Sequence, residues 1–297
     1  MDHHFGWGAA LEIDGAWTVL IEVEPLRTFG QALLAGTRNG AAAFDAIVSG
    51  DAGGVARRAG LFRPEATVWE IDGTDLVAAQ PVPISTLSEP KVDAHLAELL
   101  QSVGVELIIE HGEVIGECRG LEVARVVSDA DGQRLEVGVG AYDQDAFAIM
   151  NPALATHDAL DSVVAQVLSH RRSGVEPHPM NRLVRERWIR SDLISNPSSV
   201  GLVSLRAIEA VVPRQGLNDV APAFALGVDT RDSRVLVACS VGIDLDLIPA
   251  ATDLGAHHQV DLIVVVLPER DQHRSMLELA ELALCPCKIV TADEPWA

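Results

Sequence analysis

Short apolar runs of strand length alternate along this chain with stretches whose apolar residues recur every three or four positions. That alternation confines it to an α/β architecture, with mixed sheets flanked by helices. Val92, Leu96, Leu99, Leu100 and Val103 fall at helical spacing, so 92–102 reads as an amphipathic helix. Residues 105–109, 121–127 and 135–139 read as strands, and Asp131-Gly132 between the last two is a hairpin signal. Leu160, Val163, Val164, Val167 and Leu168 mark the next helix. The order is helix, strand, strand, strand, helix.

The same order is expected again further along: a helix over 180–194, strands near 202–205, 223–228 and 235–240, and a short helix near 247–256. An apolar strand at 262–267, a helix carrying Met276, Leu279, Ala280, Ala283 and Leu284 on one face, and a strand at 288–291 complete it. The six-residue run 262–267 suits a strand buried on both faces. Before these tandem units lies an N-terminal α/β segment with strands at 17–23 and 67–71 and Ala- and Gly-rich helical stretches at 29–36, 41–48 and 54–62. Asp72-Gly73 predicts a hairpin turn there.

Two proline-bearing stretches, 80–90 and 173–179, cannot sustain helix and set the expected boundaries. The domains are expected at 1–85, 86–175 and 176–297, in keeping with a 297-residue chain that exceeds the usual size of one domain. Residues 124–147 align over 225–248 without a gap, and each copy is a hairpin ending in Asp-x-Asp, at Asp143 and Asp145 and at Asp244 and Asp246. A duplicated half-site and the chance recurrence of Asp-rich turns both account for this.

Lys and Arg total 22 against 43 Asp and Glu, giving a net charge of −21 that repels polyphosphates, so nucleic acid is disfavoured as a partner. No apolar run approaches the roughly 20 residues of a membrane span, which disfavours a membrane role. The opening Met1-Asp2-His3-His4-Phe5 lacks the features of a secretory signal, so the expected location is cytoplasmic. Cys118, Cys239, Cys285 and Cys287 make no C-x-x-C pair and are read as reduced thiols, although Cys285 and Cys287 could supply half of a soft-metal site.

Arg171, Arg172, Arg182, Arg185, Arg187 and Arg190 surround Trp188 in the one basic concentration. They could grip phosphates while the indole stacks on a base. The favoured reading is an amphipathic helix burying Met180, Leu183, Val184 and Trp188, its arginines paired with the protein's own carboxylates. The densest acidic stretch, 110–122, followed by Glu136, Asp143 and Asp145, offers the hard oxygen ligands that Mg2+ or Mn2+ takes, and His111 could add an imidazole; solvated carboxylates on strand edges are the commoner case. Walker A, G-x-G-x-x-G and G-x-S-x-G motifs are absent.

Taken together, residues 91–172 resemble the core of the restriction-endonuclease-like PD-(D/E)xK nucleases. In that family a helix with an acidic residue precedes a three-stranded system, with Asp or Glu on the second strand and (Asp/Glu)-x-Lys on the third. The resemblance implies a metal site at Glu98, Glu122 and Glu136, with Gly138 standing where the lysine belongs. A glycine cannot orient the attacking water or offset transition-state charge. Segments 120–126, 135–140 and 239–246 are also similar to parts of an actinobacterial protein family without an assigned activity, and that likeness transfers no residue roles. The expected function is therefore non-catalytic binding or assembly, with a protein or small-ligand partner or self-association into a homo-oligomer. The alternative is a phosphodiesterase or nuclease using Mg2+ or Mn2+. Whether the chain is an enzyme stays open at this point.

Overall fold

The computed structural model describes residues 2–41, 43–85, 89–130, 132–140, 156–176, 178–214, 216–217 and 221–296. In chain order the elements are β1 (Asp2–Phe5), β2 (Gly8–Ile13), β3 (Ala16–Ile21), α1 (Pro25–Arg38), β4 (Ala43–Val48), α2 (Ala52–Ala59), β5 (Ala66–Asp72) and β6 (Asp75–Ala78). There follow α3 (Ala94–Ser102), β7 (Glu106–Glu110), β8 (Glu113–Cys118), β9 (Leu121–Asp129), β10 (Gly132–Val137), α4 (Thr156–His170), α5 (Arg185–Ser195), β11 (Leu202–Ile208) and β12 (Ala223–Asp229). Last come β13 (Arg234–Cys239), α6 (Leu247–His257), β14 (Leu262–Pro268), α7 (Arg274–Leu282) and β15 (Cys287–Ala292). The chain is α/β, as the alternation of patterns requires. No described helix is long and apolar enough to cross a membrane.

The chain divides into two compact units. The first takes Met1–Ser85, Arg231–Ala238 and Gly242–Thr291, and the second takes Thr86–Thr230, Cys239–Val241 and Ala292–Ala297.

The first unit holds a six-stranded sheet in the order β1-β2-β3-β4-β5-β6. β3, β4 and β5 run parallel, linked through α1 and α2, and the outer pairs are antiparallel. The hairpin predicted at Asp72-Gly73 joins β5 to β6, with Gly73 at a φ of 62°. The stretch 41–48 is expected to be helical from its alanines, but Ala43–Val48 is instead the strand β4. Phe44, Ala46 and Val48 alternate toward the helices and are buried, a two-residue period that overrides the helical propensity of alanine once parallel partners lie on both sides.

Two of this unit's glycines are required by close approach. Gly36 on α1 admits the rings of Phe44 and Trp17, each 2.9 Å from where a Cβ would stand. At Gly30 a Cβ would lie 2.4 Å from the Leu245 carbonyl oxygen, so α1 can reach the start of α6 only without a side chain there. Helices α6 and α7 pack on α1, and α6 also on α2. β13, β14 and β15 stand side by side, and the 262–267 run is the buried body of β14.

The second unit holds an antiparallel four-stranded sheet, β10-β9-β8-β7, and the antiparallel pair β11 and β12. One face of the four-stranded sheet packs on α3 and α4 through Leu100, Val105, Cys118, Leu121, Leu160, Val163, Val164 and Val167. Three strands are expected in this stretch and four are present. The additional one is β8, whose outer positions Glu113 and Glu117 hide its alternation. The helix expected over 180–194 is divided: a 3-10 turn spans Pro179–Arg182, Val184 takes a φ of 38°, and α5 begins at Arg185.

Candidate functional site

Strand register gathers the acidic stretch onto one face of the four-stranded sheet. Glu106 stands opposite Glu117, and Glu110 opposite Glu113, across β7 and β8. Glu117 stands opposite Glu122 across β8 and β9, and Arg125 opposite Glu136 across β9 and β10. The register shifts between Gly116 and Glu117, leaving Val123 as an extra residue on β9. That bulge turns Glu122 to the same side as Arg125, three residues on, whose Nε and Nη2 donate to the two carboxylate oxygens at 2.9 and 3.0 Å.

So many carboxylates on one face would repel each other and the solvent would have to screen them; here guanidinium groups do so instead. Helix α5 lays Arg187 and Arg190 over the face. Glu117, fully buried, accepts from Arg187 Nη1 and from Arg190 Nη2, each at 2.6 Å. Arg187 Nη2 also reaches Glu110, and Ser191 Oγ donates to Glu106 at 3.1 Å. Burial alone drives the Glu117 carboxyl upward, but Arg190 and then Arg187 reverse it, and the net position lies below the usual value. Burial raises Glu106, which has a hydroxyl in place of a cation.

The fit between turn and helix is tight. Gly120, at a φ of 76° in the β8–β9 turn, lies so close to α5 that a Cβ would stand 2.4 Å from the Arg187 carbonyl carbon. Arg171, also fully buried, donates to the carbonyls of Arg119 (2.6 Å), Met180 (3.1 Å) and Leu183, and its guanidinium lies over the Trp188 ring at 4.9 Å. Burial lowers its pKa to about 10. The reading of the basic concentration as internally paired thus holds for Arg187 and Arg190. Arg171 instead binds backbone oxygens, and Arg185 lies over the Trp296 ring.

The residues implied as metal ligands do not all meet. Glu122 is buried and held by Arg125, and Glu136 shares its face and accepts from Arg134 at 2.7 Å. Glu98 is exposed on α3, a helix that packs on the opposite face: a Cβ at Gly116 would lie 2.9 Å from Leu100 of that helix, and Gly116 points away from Glu117. No group of three His, Cys, Asp or Glu placed to hold a metal ion occurs among the described residues. Asp143 and Asp145 lie outside the described residues. A groove of about 270 Å³ beside Arg125 is lined by Pro90, Gly112, Glu113, Val126, Ser128 and Gln133.

The second Asp-x-Asp, Asp244 and Asp246, leads into α6 in the first unit, where it meets another buried arginine. Arg58 reaches Asp246 Oδ1, the Leu26 carbonyl at 2.6 Å and Asp253 at 3.2 Å, while Arg57 grips Asp253 at 2.6 and 2.9 Å. Burial pushes Asp246 up to about 7 against the pull of Arg58, with Asp244 adding to the rise. Burial also raises Asp244, although its side chain accepts the Asp246 backbone N–H at 2.9 Å.

No protein-family model matches the chain, and no curated protein is similar to it. What the molecule can do is therefore read from its surfaces.

One surface escaped the sequence reading. The helix-covered face of the six-stranded sheet buries Trp17, Val19, Ile21, Phe44, Ala46, Val48 and Val68. Register and alternation put His4, Ala9, Leu11, Ile13, Ala16, Thr18, Leu20, Ala43, Asp45, Ile47, Thr67, Trp69, Ile71, Leu76 and Ala78 on its other face. None of these is buried, so no described element covers them. Leu11, Ile13, Ile71 and Leu76 are 40, 58, 42 and 49% exposed. Asp45 is the only carboxylate among them, and it accepts from Trp69 Nε1 at 2.9 Å. Pattern searches miss such a face because apolar residues at consecutive positions read as a strand buried on both sides.

Proposed function

We propose that this chain is a non-catalytic binding or assembly protein that works through the uncovered face of its six-stranded sheet. The observation carrying this reading is the placement of apolar side chains on both faces of a sheet that the described helices cover on one face only. Large contiguous apolar surface exposed to water is unfavourable, and where a chain keeps it the usual reason is contact with another surface. The charged groups that could have marked a catalytic centre have internal partners: Glu117 holds two guanidiniums, Glu122 is gripped bidentately by Arg125, and Glu136 is paired with Arg134.

A phosphodiesterase or nuclease using Mg2+ or Mn2+ is the second reading, and the observation favouring it is that Arg125 stands beside both Glu122 and Glu136. On that reading the metal would have to displace Arg125 from Glu122. Incubation of the purified protein with single-stranded and duplex DNA, RNA and an activated phosphodiester, in either metal, separates the two. The expected result is no turnover above the buffer rate. Turnover that disappears in both Glu122→Ala and Glu136→Ala, with circular dichroism unchanged, would reject the binding reading.

A further inference from the structure

We infer that the uncovered face of the six-stranded sheet docks against the same face of a second copy of this chain, giving a two-fold, sheet-on-sheet homodimer. The inference rests on the binding reading above and names its partner.

Size comes first. Strands about 4.8 Å apart and about six residues long, at roughly 3.3 Å each, give six of them a footprint of roughly 500 Å². Side-chain relief makes the accessible area larger than the footprint, so two such faces in contact would remove more than about 1,000 Å² from water, the range of specific interfaces. A bare patch of this size sits at the upper end of what monomers expose.

Chemistry comes second. The face carries Leu11, Ile13, Leu20, Ile47, Ile71 and Leu76, and among the described side chains its titratable groups are Asp45 and, on the edge strand β1, His4 opposite Ala9. Asp45 already accepts the Trp69 indole N–H, so its approach to a partner leaves it with a hydrogen bond in place. A surface that is apolar over its middle strands is complemented by another of its kind, and the nearest one is the surface itself.

Shape comes third. Face-to-face sheets pack best when their twists match and their strands cross by about 30°. Two copies of one sheet satisfy the first condition by identity, and a two-fold axis through the face pairs each residue with its counterpart reciprocally. The charge of −21 on each copy opposes this contact only at long range, where salt screens it.

Sedimentation equilibrium from about 1 to 100 µM tests the inference. The wild type is expected at twice the 31.7 kDa chain mass in the upper part of that range, with association tightening between 0.05 and 0.5 M NaCl. Leu11→Lys, Ile13→Lys and Ile71→Lys should each weaken it by about 100-fold without changing circular dichroism, since these side chains stand in solvent in the single chain. Val203→Lys and Leu277→Lys, equally exposed but elsewhere, should leave it unchanged. A wild type of single-chain mass at 100 µM would overturn the inference, as would a dimer that survives all three lysines or loosens with salt. If that single chain also binds an apolar dye, and Ile13→Lys removes the dye, the second copy is the wrong occupant and the binding reading stands; metal-dependent turnover would remove the binding reading itself.

Discussion

The two large sheets treat their second faces in opposite ways. In each, helices and apolar side chains cover one face. The other face of the four-stranded sheet is lined with glutamates and α5 covers it at Glu106, Glu110 and Glu117, whereas the other face of the six-stranded sheet is largely apolar and left open by the described elements. Polarity alone therefore does not decide what is buried. A carboxylate row is sequestered when guanidiniums of matching geometry arrive with it, and an apolar row stays open where none of the described elements meets it.

The contrast breaks most readily at Glu117. Glu117→Ala takes from buried Arg190 its close carboxylate and leaves buried Arg187 with Glu110 only, and loss of one partner from a buried ionic group costs about 3–5 kcal/mol. Urea denaturation should show a loss of that size. A sharper version replaces the set: Glu117→Leu with Arg187→Met and Arg190→Leu should cost less than Glu117→Ala alone, because the fully buried charges then leave together and only the part-exposed Glu110 loses its partners. If the triple replacement is the worse of the two, the network contributes net stability and not only mutual compensation. Acid should act on the same group. The folded Glu117 lies below its unfolded value, so its contribution is complete above the unfolded pKa and is lost as pH falls through the folded one.

The seat of α5 gives the next effect. Gly120→Ala would place a methyl against the Arg187 backbone at a φ that disfavours any side chain, and a loss of about 2–3 kcal/mol is expected in thermal or urea unfolding. A near-neutral result would mean that the acidic face and α5 are less closely fitted than the distances indicate.

The arginine cluster of the first unit should respond to pH with the opposite sign. Asp246 is raised to about 7, so between its unfolded value and 7 the folded chain holds a proton that the unfolded chain releases. Its contribution therefore weakens stability as pH rises from about 4 to 7, the reverse of Glu117. Asp246→Asn removes that titration and keeps an acceptor for Arg58. The wild-type loss between pH 5 and 8, relative to this variant, is expected at about 1–2 kcal/mol. Parallel pH profiles for the two proteins would show that Arg58 holds Asp246 ionised throughout.

Much of the strand and helix order could be read from the chain, because β3, β9 and α4 each show a covered apolar face with the right period. What was hidden has a common cause: partners supplied by tertiary structure. β8 lacks a readable alternation because Glu113 faces Arg125 of β9 and Glu117 faces Arg187 and Arg190 of α5. Glu186, Arg187, Trp188, Ile189, Arg190 and Ser191 form a consecutive buried run in α5, so it has no solvent face for an amphipathic pattern to reveal. The grouping of Glu122 with Glu136 followed from the likeness to the PD-(D/E)xK core. The bulge at Val123, which hands Glu122 to Arg125, was not, nor was the packing of α3 that carries Glu98 to the other face. The open sheet face was in plain sight as alternate residues of β2 to β5, but only register across four strands makes it one surface.

The smallest effect completes the comparison. Ile13→Lys puts a charge where an isoleucine stands, a change that in an ordinary sheet face would empty part of the core. Here the side chain is 58% exposed and no described element lies over it, so the single chain loses little contact and lysine gains solvation. Urea unfolding below about 1 µM, where self-association is dilute, should differ from wild type by no more than about 0.5 kcal/mol. An apolar-to-charged substitution would then be nearly silent in one sheet while a charged-to-apolar one in the other costs several kcal/mol. A loss above about 2 kcal/mol for Ile13→Lys would mean that the face is covered within a single chain, and the contrast between the two sheets would not stand.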